Sequence, residues 1–360
     1  MPKKIEVIGL MSGTSFDGID LSYIETDGVK IFHYMGNYFH EYPNKLLNKY
    51  LNIKTFSIEE LLEFERAVTL LHLEAIEQFL LVNKISKKEI DLIGFHGQTL
   101  YHNPVKKLLL QLGNPHILTA KLGIDVISDF RRRDIENGGQ GAPLVPFYHE
   151  AIIDKKLYPA AAVNIGGISN ITILDNNFIT AHDTGPGNAL LNDFIRYHDS
   201  NLICDFNGEI SSKGVVDHKL IEEMMSNEFF STKPPKSLDR NFLSFERFLS
   251  LGIENGAATI CFLIAKAITL SINDSTKNIF ICGGGRKNKT IMKYLIKLSN
   301  ALVAQIDILQ DSKGNNLDGD FIESQAFAYL AARIKYNLPI SNYSTTGTKG
   351  QSPGGAFYQA

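Results

Sequence analysis

Two stretches of this chain repeat one design roughly 150 residues apart, and that repetition constrains the fold more than anything else in the sequence. The first is the apolar run Ile5-Glu6-Val7-Ile8, then Gly9 to Asp20, rich in small, hydroxyl-bearing and acidic residues, then the alternating run Leu21-Ser22-Tyr23-Ile24. The second is Ala161-Ala162-Val163-Asn164-Ile165, the turn Gly166-Gly167-Ile168-Ser169, and Asn170-Ile171-Thr172-Ile173-Leu174. Each reads as strand, glycine turn, strand, so two lobes of similar design are expected. The length of 360 residues agrees, because it exceeds what one hydrophobic core usually serves.

The remaining pattern is mixed α/β. Strands are expected over 29–34, 91–95, 107–111, 125–128, 178–181 and 278–282. A long helix starts at the capping box Ser57/Glu60 and carries Leu61, Phe64, Val68, Leu71, Ala75 and Phe79 at helical spacing. Further helices are expected over 189–197, 255–272 and 290–298, and from about Asp320 onward, where Phe321, Ile322, Ala326, Phe327, Leu330 and Ala331 give a broad apolar face. The Arg/Gly/Asn-rich stretch 129–146 reads as a loop or hinge. The tail 341–355 reads as irregular, with Ala356-Phe357-Tyr358 able to dock.

Composition narrows the function classes. Hydrophobic residues make up 44% and charged residues 21%, the balance of a soluble globular protein. A net charge of −3 argues against a nucleic-acid or anionic-membrane binder. The three cysteines, Cys204, Cys261 and Cys282, lack paired spacing and read as small buried apolar residues. The start of the chain is too short in apolar residues for a signal peptide, and no uninterrupted apolar stretch reaches membrane-spanning length, so a reducing cytosol is the expected setting.

Several segments carry chemistry-bearing residue types. Gly13, Thr14, Ser15, Phe16, Asp17, Gly18, Ile19 and Asp20 form a turn in which bare backbone and hydroxyls can meet an anion and a carboxylate can hold a metal. It lacks the Gly-Lys-Ser/Thr ending of a Walker loop, and a tight hairpin without a ligand is the alternative. Asp183-Thr184-Gly185-Pro186-Gly187-Asn188 closes a strand, which makes Asp183 either a helix cap or a general base beside a substrate. Gly283-Gly284-Gly285 ends another strand, as a nucleobase platform or a flexible turn. His96, in Gly94-Phe95-His96-Gly97-Gln98-Thr99, reads as a site-wall residue or a hydrogen-bonded structural one. Arg131-Arg132-Arg133-Asp134 with Asn137 offers donors to a polar sugar or a carboxylate, or is a solvated turn. Glu323 by itself reads as a solvated helix residue. Neither a His/Cys zinc spacing nor a Gly-x-Ser-x-Gly elbow occurs.

Taken in order, these segments resemble the anhydro-N-acetylmuramic acid kinases of the actin/Hsp70/sugar-kinase superfamily. The resemblance rests on Met11-Ser12-Gly13-Thr14-Ser15 through Asp20, Phe95-His96-Gly97-Gln98-Thr99, Gln140-Gly141-Ala142-Pro143-Leu144-Val145-Pro146, Asn164 to Asn170, Asp183 to Asn188 and Cys282-Gly283-Gly284-Gly285. It runs from Gly9 to about Phe357. Arg286-Lys287 stands where the family has a smaller pair, and Ser324 where it has alanine. The resemblance implies two actin-like (ribonuclease H-like) lobes, 1–135 plus 337–360 and 136–336, with an ATP cleft between them. It implies a kinase that opens 1,6-anhydro-N-acetylmuramic acid with water and phosphorylates O6, in cell-wall recycling. ATP and Mg²⁺ are the implied cofactors and a homodimer the implied assembly. Asp183 would be the base, helped by Glu323. The turn 13–20, together with Gly166, Gly167, Ser169 and Asn170, would hold the phosphates. Gly283, Gly284 and Gly285 would take adenosine, and Asp17 and Asp20 the metal. Arg132, Asn137, His96, Gly185 and Asn188 would contact the sugar. The rivals are another sugar kinase of the superfamily and an actin/Hsp70-like nucleotide switch.

Overall fold

The computed structural model describes residues 2–13, 16–238, 242–311, 313–351 and 353–360. Its strands are β1 (Ile5–Ser12), β2 (Gly18–Thr26), β3 (Ile31–Glu41), β4 (Leu92–Asn103), β5 (Leu108–Leu112), β6 (Val126–Ser128), β7 (Ala160–Ile165), β8 (Ile168–Leu174), β9 (Ile179–Pro186), β10 (Asn278–Cys282), β11 (Leu302–Gln305) and β12 (Ala356–Tyr358). The chain divides into two compact units. One comprises Met1–Ile152, Gln310–Leu317 and Phe321–Ala360; the other comprises Ile153–Leu309 and Asp318–Asp320. This division differs from the expected boundaries, 1–135 plus 337–360 and 136–336. Residues 136–152 and the helix Ile322–Lys335 belong with the first unit, the helix because it packs on β1, β2 and β4.

The first unit holds a seven-stranded sheet ordered β12-β6-β4-β1-β2-β3, with β5 on β4. β1 pairs antiparallel with β2 and parallel with β4; β3 runs antiparallel to β2, and β6 parallel to β4. The second unit's sheet, β11-β10-β7-β8-β9, repeats that scheme strand for strand: β7–β8 and β8–β9 are antiparallel, β7–β10 and β10–β11 parallel. The two glycine-turn hairpins of the sequence are the equivalent β1–β2 and β7–β8 pairs, as their shared pattern implied.

Each sheet has its own core. In the first unit the helix Ile58–Asn83 opens with the expected capping box: Ser57 Oγ accepts from Glu60 N–H, and Glu60 Oε2 accepts from Ser57 N–H at 2.7 Å. Its Phe64, Val68, Ile76 and Phe79 are buried with Ile8, Leu10, Leu21 and Tyr23, the inward side chains of β1 and β2. The opposite face of the sheet receives the helix Ile322–Lys335, and this packing needs glycine. A Cβ on Gly9 would lie 2.0 Å from Ser324 O and 2.4 Å from Ala328 N, and one on Gly94 would lie 2.3 Å from Phe327 O. Bare backbone on β1 and β4 therefore lets the helix sit directly on the sheet.

In the second unit the helix Gly252–Leu270 buries Ile260, Leu263, Ile264 and Ile268 with Val163, Ile171 and Ile281. The run Phe245–Leu270 is long and apolar enough to cross a membrane by length and composition, although Glu246, Arg247, Glu254 and Lys266 interrupt it. Here it is broken at Gly252 (φ 72°) into a seven-residue 3₁₀ segment and a core helix. One other expectation changes. The stretch 129–146 contains the helix Arg132–Glu136 and is tied down by Asp134, whose buried carboxylate accepts from Gly141 N–H (2.7 Å), Ser341 Oγ (2.5 Å) and Thr346 Oγ1 (2.7 Å). The tail is thereby fastened, and Ala356–Tyr358 does dock, antiparallel to β6. Cys261 and Cys282 are buried and Cys204 half-buried, and none of the three is in a disulfide.

Candidate active site

In the first unit the candidate residues collect at the β1–β2 turn and the start of the helix Ile322–Lys335. Thr14 and Ser15 lie outside the described residues; the turn around them is held from both sides. Phe16, at a positive φ of 55°, buries its ring in a stack on Tyr50 at 4.1 Å, with Phe64 and Tyr42 beside it. From β4, Gln98 Nε2 donates to Gly13 O at 3.0 Å, while Ser12 Oγ donates to Gly97 O at 3.1 Å. The described flanks of the turn are thus held by an aromatic anchor and a glutamine. Ile19 is fully buried and Gly18 lies against His40 O, so these two offer at most backbone atoms.

Asp20 shares the face of β2 with Ser22, whose Oγ lies 2.7 Å from Ser324 Oγ. The carboxylates of Asp20 and Glu323 therefore belong to the same side of the sheet, beside the first turn of the helix. Asp17 is exposed just before β2, and its carbonyl accepts from Tyr42 N–H. No group of three or more His, Cys, Asp or Glu among the described residues could hold a metal alone. One or two hard carboxylates do suit Mg²⁺, which ordinarily completes its shell with phosphate oxygens and water.

Glu323 is half-buried, and burial raises its pKa above the ordinary carboxylate value while the Arg131 guanidinium pulls it back. Arg131 is fixed in turn: Nε and Nη2 donate to His96 Nε2 at 3.1 and 2.8 Å, and Nη1 donates to Gly141 O at 2.6 Å. His96 Nδ1 lies 2.8 Å from Gly97 O, so the ring is a neutral Nδ1–H tautomer whose Nε2 accepts from the arginine. Burial and Arg131 hold its pKa well below the ordinary histidine value.

This arrangement revises three sequence expectations. His96 lies within β4, not after a strand, and it is buried with Nδ1 on Gly97 O and Nε2 accepting from Arg131. Of the three consecutive arginines, Arg131 turns inward. Arg132 is exposed and paired with Asp129 at 3.1 Å, and Asn137 is exposed, with its carbonyl accepting from Lys349 N–H. Arg131 and Gln98 are the functional candidates that sequence reasoning passed over, although both stood inside quoted motifs.

In the second unit, Asp183 lies in the middle of β9, opposite Asn170, instead of closing a strand. It is half-buried, and burial lifts its pKa to about 7 against the opposing pull of Leu238 N–H and the Lys236 charge. Leu238 N–H donates to Asp183 Oδ2 at 2.7 Å, and Asp183 N–H donates to Lys236 O at 3.0 Å. A carboxylate with a pKa near neutrality in a partly open position is poised as a general base.

The Gly166-Gly167 turn faces the helix Asn188–His198 with its carbonyls: Gly166 O accepts from Asn188 N–H at 2.7 Å, and Gly167 O from Gly187 and Ala189 N–H. In planar trans peptides the Gly167 and Ile168 N–H groups then point the other way, toward where an anion can bind. Ser169 does not join them, because its hydroxyl is buried and donates to Pro186 O. Asn188 Nδ2 is spent on Ile165 O at 3.0 Å. Gly185 is a packing glycine, since a Cβ there would lie 2.9 Å from Ala267 Cβ. The triple glycine is likewise mostly structural. A Cβ on Gly283 would strike Asn164 Oδ1 and one on Gly285 the Ile165 side chain, both at 2.2 Å, whereas Gly284 has nothing nearer than 3.5 Å. Arg286, just after them, is buried and clasped by Asp307 (3.0 Å) and Asp320 (2.6 Å). A cavity of about 700 Å³ adjoins it, lined by Lys287, Lys289, Met292, Lys293 and Gln305 among others.

Comparison with known proteins agrees with the order of these motifs. The family model described as anhydro-N-acetylmuramic acid kinase matches residues 5–360. Curated proteins of that name are similar along their whole lengths. The one from Zymomonas mobilis is 39% identical, covering 98% of this chain and 99% of its own. The one from Rhodopseudomonas palustris strain HaA2 is 40% identical, with 97% of each covered, and that from Bradyrhizobium diazoefficiens 38% identical, with 98% and 99% covered. This chain belongs to the anhydro-N-acetylmuramic acid kinase family.

Proposed function

We propose that the protein is an ATP-dependent kinase that opens 1,6-anhydro-N-acetylmuramic acid with water and phosphorylates O6, giving N-acetylmuramic acid 6-phosphate and ADP. The observation that carries this reading is Asp183: a strand-borne carboxylate held at a pKa of about 7, in a chain whose relatives are named for that activity. Asp183 takes the proton of a water as the water oxygen bonds to the anomeric carbon. The bond from that carbon to O6 breaks, and O6 bonds to the γ-phosphorus as the bond to ADP breaks. Glu323, whose pKa burial raises above the ordinary carboxylate value, lies on the side of the first unit's sheet that carries Asp20 and is the proposed helper of Asp183.

Phosphoryl transfer is mostly positioning and charge neutralisation. The turn from Gly13 to Asp20 and the N–H edge at Gly167 are the proposed phosphate holders. Asp20, with Asp17 near it, is the proposed Mg²⁺ holder; the bound ion would neutralise phosphate charge. Gly284 and the cavity beside Arg286 are proposed for the adenosine. Arg131, held by His96, balances Glu323 and is better placed than Arg132 for a buried anionic group. Amino-sugar metabolism in cell-wall recycling, a cytoplasmic setting and a homodimer complete the reading.

The test is Asp183→Asn. Turnover should fall by about 10²–10⁴-fold, the range for loss of a general base, with ATP binding retained. Turnover near that of the unaltered protein would remove Asp183 from the mechanism.

A further inference from the structure

β9 is the edge strand of the second unit's sheet, so the outer backbone of Asp183 has no strand to pair with. The segment Lys236–Leu238 covers it there. Asp183 N–H donates to Lys236 O at 3.0 Å, and two residues on, Leu238 N–H donates to Asp183 Oδ2 at 2.7 Å. One short backbone stretch thus grips both the main chain and the carboxylate of the same residue.

The stretch is itself fastened. Lys236 Nζ donates to Phe229 O at 2.9 Å and lies 4.3 Å over the Phe229 ring. Phe229 packs on Phe230 and Phe242 with ring centroids 5.6 and 5.3 Å away, and Phe230 reaches back to β9, where a Cβ on Gly185 would meet its ring at 3.2 Å. The groups around the base are few among the described residues. Lys236 is the charged group acting on Asp183. His182, beside it in β9, is held neutral by burial and by Lys236, and the facing residue of β8, Asn170, is uncharged.

We infer that Lys236–Leu238 is a positioning strap for the base: Leu238 N–H occupies Oδ2, which leaves Oδ1 to take the proton from water, and Lys236 both fastens the strap and supplies the balancing charge. Among the described residues Oδ1 accepts no hydrogen bond, in keeping with that division of labour. The inference rests on Asp183 being the general base. A strap in this place does what a rigid supporting shell does for any catalytic group, fixing which lone pair meets the substrate.

The test uses Lys236→Met and Lys236→Arg, each with and without Asp183→Asn, in the full chain. The pH dependence of the melting-temperature difference within each pair reads the folded-state titration of Asp183 without requiring turnover; kcat/KM against pH reads it in the reaction. With Lys236→Met both midpoints should move up by about half a unit or more, since removing a positive neighbour disfavours the carboxylate. Lys236→Arg should restore both. A purely structural strap would lower the melting temperature and leave the midpoints in place, and that result overturns the inference. If Asp183→Asn alone keeps turnover, the base assignment fails instead, and the stability midpoints still report whether the strap acts on Asp183.

Discussion

Replacing Gly9 with alanine should disable the enzyme from the far side of a strand. The added Cβ would lie 2.0 Å from Ser324 O and 2.4 Å from Ala328 N, both backbone atoms of the helix Ile322–Lys335. Ordinary contact begins near 3.4 Å, so the helix must retreat by about 1.4 Å (3.4 minus 2.0), because neither neighbour can rotate away. Overpacking of this kind costs about 1–3 kcal/mol, a fall in melting temperature of roughly 2–10 °C for a unit of this size. The functional loss should be larger than the stability loss. Glu323, proposed as the helper of the base, sits in the first turn of that helix, and displacing such a group by about 1 Å costs on the order of 10²-fold in rate. Calorimetry and steady-state ADP release on the same preparation test both parts. Gly284→Ala, whose Cβ meets nothing nearer than 3.5 Å, should leave the melting temperature within about 1 °C. A Gly9→Ala protein with unchanged melting temperature and turnover would refute the close-packing argument and the role given to the helix.

Other outcomes follow from the same geometry. With an Asp183 pKa of about 7, turnover should fall about tenfold per pH unit below neutrality, as the base becomes protonated. A carboxyl whose folded pKa lies above its ordinary value of about 4 contributes stability at low pH that is lost as pH rises toward 7. Asp183→Asn should therefore stabilise the protein more at pH 8 than at pH 5, and a pH-independent difference would contradict the assigned burial. Asp134→Ala leaves Ser341, Thr346 and Gly141 without their shared acceptor, and a loss of about 3–5 kcal/mol, read from denaturant unfolding, is expected. Phe16→Ala removes the ring stacked between Tyr50 and Phe64; it should cost about 3–5 kcal/mol and raise the KM for ATP, and a change in stability alone would detach the turn from nucleotide binding.

What could be read from the sequence was whatever is decided locally. The Ser57/Glu60 box states where its helix begins, and two glycine turns between apolar runs state two hairpins, because capping and turn geometry depend on neighbours in the chain. Tertiary choices were not legible. Nothing in Arg131-Arg132-Arg133 says which side chain turns inward; that is settled by His96 on β4 and by Gly141. The run of three glycines reads as a ligand platform, yet Gly283 and Gly285 are glycine because β7 presses against them. The expected strands 91–95 and 178–181 stop short of His96 and Asp183, whereas both lie inside longer strands with bulges. The strap at Lys236–Leu238 carries no motif at all. It matters only because it lies against an edge strand that is built more than 50 residues earlier, its Leu238 N–H reaching across |i−j| = 55.

The central claim is tested most directly by ADP release from the purified protein with ATP and Mg²⁺, comparing 1,6-anhydro-N-acetylmuramic acid with N-acetylmuramic acid and N-acetylglucosamine. The account predicts ADP with the anhydro sugar only, together with a ring-opened product whose mass shows one added water and one phosphate at O6. ADP released without any sugar, or equally well with an unbridged one, would contradict it.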